Sequence, residues 1–478
     1  MSFGDPKPWT LEELLEGPRS RAAWRELCPF LEGLSAEELA AVTPRLRAWP
    51  PEVRTMPDAW WASTLAGDIR PYHRLAATRR LGRLHDVECG RAPAFPEADA
   101  DSYAEENDHD HLNGEASFFY SATAVAALPG LRRVVLGATA EWHHNGGDIV
   151  GWSTVDGPPL ITYLDGADYH DNPFAIEVSP DGGVVATSVE GRWFAWSAAT
   201  GERLWTLDSR RPWSGQIAPG SEIEEDDLDE DDADLEEDDL DEDDGEVEPD
   251  GRGSTRFSFS GDGRLLAAGR YTGGPVVVLD VPTGKVLAGG PDDAIDGRGP
   301  VALDRSGRLL AYVRDGARVV VRDATSGGAV LAEADTGLAD VIDLAMAPDG
   351  GQLLAVGPDG DDLPAACRLT FDTTPAGASL EPVTVARPAQ GPGGKDLAPL
   401  GESWASWRAA WTGRGPLAHL SVQRRGGVLF DGDGRVLLTE PSIRIVSFTP
   451  DGHALVGVTS LEEDNLDPID VWFLDALE

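Results

Sequence analysis

Histidine and carboxylate side chains are concentrated in one part of the sequence. Five of the nine histidines lie between residues 109 and 170, in the stretches NDHDHLNG, EWHHNGGD and DYHDNP. Imidazole and carboxylate groups are ligands that zinc and nickel accept. Histidines in polar loops are more often unliganded, so we predict neither a metal site nor a cofactor. If a metal were bound, its ligands would come from His143, His144, Asp148, His170 and Asp171.

Motifs of familiar hydrolases and nucleotide-binding enzymes are absent from the sequence. It contains no G-x-S-x-G elbow, no H-E-x-x-H pair, no P-loop and no G-x-G-x-x-G after a strand. Its three cysteines, Cys28, Cys89 and Cys367, are too far apart to suggest a metal knuckle or a redox pair. We therefore expect a protein without enzymatic activity and predict no catalytic residue.

Residues 221–250, called the acidic insert below, carry the strongest charge signal. They include 21 acidic residues and no basic one, and the sequence EEDDLDEDD occurs twice among them. So few apolar residues cannot offset the entropy lost on ordering, which predicts a disordered segment. Its carboxylates are candidates for contact with a basic partner, in particular Glu224, Asp226, Asp227, Asp238 and Asp239.

The charge of the whole chain narrows the class of partner. The formal net charge is −45, and leaving out the 21 acids of the acidic insert still gives −24. Such a charge disfavours nucleic acid and anionic membranes and favours a basic protein. We expect a cytoplasmic protein, because the N-terminus lacks a signal-peptide pattern and no run of 18 apolar residues occurs. Three Lys against 36 Arg, with abundant Ala and Gly, is typical of GC-rich bacterial genomes.

Self-similarity organises most of the chain. Seven segments share an alternating apolar run, a glycine-containing turn and a second apolar run. The turn glycines are Gly130, Gly182, Gly263, Gly307, Gly350, Gly415 and Gly452. Period-two alternation broken by Asp-Gly and Thr-Gly turns is typical of antiparallel hairpins. About 40 residues per four-stranded unit is the period of a β-propeller blade.

On these residues the chain resembles the WD40-like β-propeller superfamily in its degenerate bacterial form. The resemblance covers roughly residues 116–478 and rests on S-P-D-G-type turns, best kept at 179–182 and 449–452. The Trp-Asp dipeptide and the Gly-His that opens a family repeat are missing. The aspartates at the position where the family's Trp-Asp pair ends are Asp280, Asp323, Asp372 and Asp431. The resemblance implies a mainly β fold, a seven-bladed β-propeller, that works in protein–protein interaction.

The pattern also predicts the boundaries of the parts. We expect a small α-helical domain over 1–100, a linker over 101–115 and the propeller over 116–478, with the acidic insert as a disordered loop. The strand 116–121 should close the last blade as its outer strand, because an incomplete blade would leave an open edge. The expected blades are about 122–166, 174–209, 256–291, 300–336, 342–387, 404–442 and 443–478.

Helix signals fill the first 84 residues. Thr10 with Glu13 and Ser35 with Glu38 form capping boxes. The segments DAWWASTL from Asp58 and PYHRLAATRRLGRL from Pro71 should be helical. A dense basic cluster consists of Arg70, Arg74, Arg79, Arg80 and Arg83. We interpret it either as a solvated helix face or as a site that docks onto the acidic insert of the same chain or onto an acidic partner.

One face of the expected ring gathers the acidic stretches. In a propeller, the loops from the second to the third strand and the loops between successive blades emerge on the same side, called the loop face below. The acidic insert, GPDGDDLP from Gly357 and SLEEDNLDPID from Ser460 belong to it. Trp404 and Trp407 should lie near it, open to partner contact. We predict a scaffold that binds a basic protein there. The alternatives are a metal-dependent, lactonase-like propeller hydrolase that uses the loop histidines, or an inhibitory or immunity subunit for a basic effector.

Overall fold

The structure, a computed structural model, describes most of the chain. The described residues are 9–83, 120–131, 133–140, 147–153, 160–162, 173–189, 191–216, 255–271, 273–324, 328–374, 377–401, 405–422, 425–459 and 468–477. The acidic insert and the predicted linker lie outside them.

Within these ranges the strands form seven antiparallel four-stranded sheets. Six sheets are built from consecutive strands: β2–β5 (Tyr120–Ala127, Arg133–Ala140, Gly147–Ser153, Leu160–Thr162), β6–β9 (Pro173–Val178, Val184–Val189, Arg192–Ser197, Arg203–Asp208), β10–β13 (Thr255–Phe259, Leu265–Arg270, Val276–Asp280, Lys285–Ala288), β14–β17 (Arg298–Leu303, Leu309–Arg314, Arg318–Asp323, Val330–Asp335), β18–β21 (Asp343–Met346, Gln352–Pro358, Pro364–Thr374, Gly377–Ala386) and β22–β25 (Ala405–Thr412, Gly415–Val422, Gly426–Asp431, Val436–Glu440). The seventh combines β26–β28 (Ile443–Phe448, Ala454–Thr459, Pro468–Phe473) with β1 (Thr78–Arg83) from near the start of the chain.

The sheets are arranged as the blades of a propeller. The first strand of each sheet packs against the first strand of the next, from β2 through β6, β10, β14, β18 and β22 to β26. β26 in turn packs against β2, so the ring is closed. These seven inner strands surround a central channel. The sequence prediction of a mainly β propeller preceded by helices is therefore confirmed.

The S-P-D-G turns fix the hairpins between the first and second strands. Ser179 donates from Oγ to Asp181 Oδ1 over 2.6 Å and accepts from the Val184 backbone N over 2.9 Å. The same hydroxyl-to-carboxylate bond occurs from Thr449 to Asp451 over 2.6 Å. Gly182 has φ +74°, and a Cβ there would lie 2.9 Å from Pro129 of the preceding blade. Glycine is thus required by both the turn conformation and the close contact between blades.

The expectation for the closing strand is wrong. The outer strand of the last blade is β1, which pairs with β28 from Thr78 opposite Trp472 to Arg83 opposite Pro468. Residue 120 begins the inner strand of the first blade instead, and 116–119 lie outside the described residues. The prediction of a helix from Pro71 is also wrong. Residues 71–75 form a short 3-10 turn, and the chain then enters β1.

Arg79 and Arg80 of the basic cluster contact carboxylates that lie far from them in the sequence. Arg80 donates to both carboxylate oxygens of Asp470 on β28, over 3.0 and 2.9 Å. Arg79 contacts Asp58 over 3.1 Å, and its guanidinium carbon lies 5.0 Å from the centre of the Trp61 ring. These contacts fasten β1 to its neighbours, so Arg79 and Arg80 lie on a strand and not on the solvated helix face suggested by the sequence.

Four α-helices are present among the described N-terminal residues. They are α1 (Leu11–Glu16), α2 (Arg21–Gly33), α3 (Ala36–Arg47) and α4 (Asp58–Leu65). The capping boxes at Thr10 and Ser35 are both formed, and the backbone N–H groups of Glu13 and Glu38 donate to the two hydroxyls over 3.2 and 3.3 Å. Trp60 and Trp61 are buried, as their apolar character suggests.

The helices share a hydrophobic core with the propeller. One continuous cluster of buried side chains runs from Trp24 and Leu46 in the helices to Val125 in the first blade and Val456 in the last. Arg54, only 1% exposed, strengthens the junction. Its guanidinium donates to the backbone oxygens of Trp49, Leu75 and Ala476 over 3.2, 3.1 and 2.7 Å. The helical segment therefore covers and closes the last blade.

Candidate functional site

Most of the residues predicted from the sequence to form a site lie outside the described part of the chain. This applies to His143, His144, His170 and Asp171, and to the five acidic-insert candidates Glu224, Asp226, Asp227, Asp238 and Asp239. Asp148 lies on strand β4, in the first blade. Within the described ranges, no group of three or more His, Cys, Asp or Glu side chains could hold a metal ion.

The prediction that Trp407 is open to partner contact is wrong. Its side chain is 2% exposed and belongs to the core between the fifth and sixth blades. Alternate residues of a strand point to the same side, so Trp407 and Trp411 share one side of β22. Trp411 also packs against this core. Trp404 lies outside the described residues.

The acidic residues of GPDGDDLP have partners within the protein. Asp359 is 6% exposed and accepts from the backbone N of Asp361 and Leu363 over 2.9 and 3.2 Å. Arg387 pairs with both Asp359 and Asp361. Asp362 accepts from the Gly401 backbone N over 2.7 Å. These carboxylates stabilise the loop that carries them, which leaves them less suited to bind a partner.

A cavity of about 230 Å³ lies in the central channel. Its walls are the inner strands β6, β10, β14, β18, β22 and β26, together with S-P-D-G-type turn residues such as Pro180 and Pro450. Most of the lining residues are apolar, although polar atoms contribute more of the exposed cavity surface than apolar atoms do.

Four charged residues line this cavity, and we call them the channel cluster: Glu177, Arg256, Asp343 and Arg408. Arg256, Asp343 and Arg408 come from three different blades at the same register. Each lies seven residues before the positive-φ glycine of its turn, namely Gly263, Gly350 and Gly415. Equivalent positions of inner strands lie at one level of the channel, so the fold brings these side chains together.

Asp343 is held mainly by backbone groups. Its Oδ1 accepts from the Leu344 backbone N over 3.0 Å, and its Oδ2 accepts from the Ala409 backbone N over 2.9 Å. Arg256 Nε lies 3.6 Å from Asp343 Oδ1, which is an ion-pair distance and too long for a hydrogen bond. The carboxylate therefore joins two blades and only partly compensates the charge of Arg256.

Burial shifts the proton affinities of the channel cluster. Removal from water raises the pKa of Glu177 to about 7, with Asp343 adding to the rise and Arg408 and Arg256 opposing it. Glu177 is partly exposed and lines the cavity. Burial, helped by Arg408, also lowers the pKa of Arg256 to about 10. Arg256 stays charged near pH 7, whereas Glu177 is divided between its two forms.

A buried histidine lies behind the cluster. His419 on β23 is opposite Arg408 in the strand register and is 1% exposed. Burial and the nearby Arg408 lower its pKa to about 3, so the imidazole is neutral. Its Nδ1 has no hydrogen-bond partner among the described residues. A neutral side chain adds no charge to balance the arginines.

Sequence reasoning missed the channel cluster, although a signal for it exists. Arg256, Asp343 and Arg408 interrupt inner strands that are otherwise apolar, at one position of the repeat. An ionised side chain is rarely buried unless it has a partner, so a charge at a core position of several repeats marks a shared site.

Comparisons with known proteins add little to this picture. No protein-family model matches the sequence, and no curated protein matches it either. A solved structure with a similar chain path is the β-propeller domain of Cps50 (Swd1) from Myceliophteria thermophila. It has 13% sequence identity and a TM-score of 0.47, with 74% of this chain and 96% of that chain covered. The assignment of a β-propeller rests on this chain's own sheet order, and the WD40-like family stays a prediction.

The helices of the described residues are all too short or too polar to cross a membrane.

Proposed function

We propose that this protein is a non-enzymatic interaction scaffold that binds a basic protein partner through the acidic insert. The supporting observation is the position of the insert between two complete blades. β9 ends at Asp208 and β10 begins at Thr255, and both strands are paired in four-stranded sheets. The ring therefore closes without the insert, which leaves the insert available for another task.

The order of the strands indicates the face of the ring from which the acidic insert would emerge. The insert connects the outer strand of one blade to the inner strand of the next, and such connections emerge on the loop face. A rigid ring holds the two ends of the segment in place, so a partner would meet 21 carboxylates in one region. Such a charge density attracts basic surfaces over roughly a Debye length, about 8 Å at physiological ionic strength.

The charges elsewhere on the loop face support the insert as the main contact. Asp359, Asp361 and Asp362 have internal partners, and Arg298 and Arg322 pair with Asp340 and Asp293. Carboxylates engaged in this way lose part of their attraction for a partner. Trp407 is buried and drops out of the proposed interface.

A capture experiment from native cell extract tests the proposal with three versions of the protein. One is intact, one lacks residues 221–250, and one keeps the length of the insert but has its 21 acids replaced by Asn and Gln. We expect the intact protein alone to capture a basic protein, more strongly at low than at physiological salt. The same captured set on all three versions would contradict the proposal.

A further inference from the structure

The arginines of the channel cluster are incompletely balanced. Arg256 is 8% exposed, and its Nε has no hydrogen-bond partner among the described residues. Arg408 lines the same cavity, and its side chain takes part in no hydrogen bond or ion pair of the described residues. Two guanidinium groups near each other repel, and buried charges without hydrogen bonds are costly. The cavity thus has the character of a site for negative charge.

The acidic members of the cluster only partly satisfy that demand. Asp343 accepts two backbone N–H groups and contacts Arg256 at 3.6 Å without a hydrogen bond. Glu177 makes no side-chain hydrogen bond or ion pair in the described part of the chain. A guanidinium presents five donors in a planar fork that fits a carboxylate or a phosphate group. The donors of both arginines are therefore available to an added anion.

We propose that the channel cavity binds a small anion with a carboxylate or phosphate group, held between Arg256 and Arg408. Both side chains line the cavity, from inner strands of different blades. Asp343 would keep Arg256 in place through the two blades that it joins. This inference is independent of the acidic insert, since none of these groups belongs to it.

The dimensions of the cavity limit the size of the ligand. Its 230 Å³ corresponds to about seven water molecules at the density of the liquid. Inorganic phosphate or a short dicarboxylate fits this space.

Glu177 gives the site a dependence on pH. In its neutral form the carboxyl group can donate a hydrogen bond to the anion, and in its ionised form it repels the anion. The pKa of Glu177 lies near 7, so binding should weaken as the pH rises from 6 to 8. Replacing Glu177 by Gln keeps a donor and removes the charge.

Calorimetric titration with inorganic phosphate and, separately, with malonate tests the proposal at constant ionic strength. The proteins are wild type, Arg408→Gln, Arg256→Gln and the exposed control Arg435→Gln. We expect saturable binding of at least one probe to wild type and control, and a loss of roughly tenfold or more in affinity in both channel variants. Tighter binding of phosphate would indicate a phosphate ligand, and tighter binding of malonate would indicate a carboxylate ligand. Arg408→Gln removes no internal hydrogen bond, so it remains informative if Arg256→Gln does not fold.

Two outcomes would overturn the proposal. One is no saturable binding of either probe to the wild type between pH 6 and 8. The other is equal affinity in wild type and Arg408→Gln, which would mean that the probe binds elsewhere. With malonate, which is a dianion over most of this range, the affinity of wild type should fall from pH 6 to pH 8 and that of Glu177→Gln should change less. An identical pH dependence of the two would exclude the role of Glu177 in this site.

Discussion

Glu177 couples the stability of the ring to pH. Its ordinary pKa is 4.5, and burial in the channel raises it to about 7, so the folded protein holds a proton that the unfolded chain releases at lower pH. The favourable contribution of the neutral form is complete below about pH 4.5 and is lost as the pH rises through 7. The ionised carboxylate is therefore a cost to folding at alkaline pH.

Replacing Glu177 by Gln should remove this cost. The free energy of unfolding of the variant should exceed that of wild type by about 1 to 3 kcal/mol at pH 8, with a much smaller difference at pH 5. Urea denaturation at both pH values measures it, with the exposed Glu381→Gln as a control that should show no such change. A difference that does not depend on pH would refute the coupling.

Arg54 is the residue that ties the helical segment to the end of the chain. Its three bonds to backbone oxygens are buried, and replacing it by Met leaves those oxygens without donors. We expect Arg54→Met to lower the free energy of unfolding by about 3 to 5 kcal/mol. The exposed Arg25→Met should change it by less than about 0.5 kcal/mol. Guanidinium denaturation compares the two, and equal effects would show that the junction does not depend on Arg54.

At the scale of elements, β1 decides whether the last blade is complete. Without it, β28 presents a free edge, and the packing of Trp61 against Phe473 at 6.2 Å between ring centres is lost. Deleting residues 1–83 should therefore lower the unfolding temperature and cause self-association. Light scattering and thermal unfolding measure both effects.

Deletion of the acidic insert is the matched comparison for that experiment. Its removal shortens a connection between blades that are complete in themselves, so the unfolding temperature should change little. If the variant that lacks residues 1–83 were as stable and as monomeric as the variant that lacks the acidic insert, the assignment of β1 as the closing strand would be contradicted.

The same element shows where sequence reasoning stops. The blades follow from local signals, since each hairpin carries its own apolar alternation and its own turn residues. β1 has the sequence TRRLGR, with three arginines and little alternation, and its partner Asp470 lies 390 residues away from Arg80. No local pattern encodes a pairing over that distance. Pro71 adds a helix-start signal, which favours the wrong secondary structure.

The channel cluster was difficult to predict from the sequence for a related reason. Metal ligands and acidic runs are visible as residue types in one stretch, whereas the channel cluster is assembled from four blades. Only the register of the inner strands places Arg256 and Arg408 around one cavity. The burial of Trp407 could have been predicted, because its parity with Trp411 on one strand was already readable from the sequence.

The whole molecule combines a closed ring with a strongly uneven charge distribution. Its net charge is −45, and nearly half of that comes from one loop between two blades. The ring needs neither the loop nor its charge for closure. The two proposed sites are separate, with a basic protein at the acidic insert and a small anion in the channel. Each can fail without the other.

Zero-length carbodiimide cross-linking of a captured complex tests the proposed interaction most directly. This chemistry joins carboxylates to lysines, and the protein has only three lysines of its own, Lys7, Lys285 and Lys395, so internal links are few. We predict that the partner's lysines link to carboxylates within residues 221–250. Links confined to the outer strands or to the helical segment, with none in the acidic insert, would contradict the account.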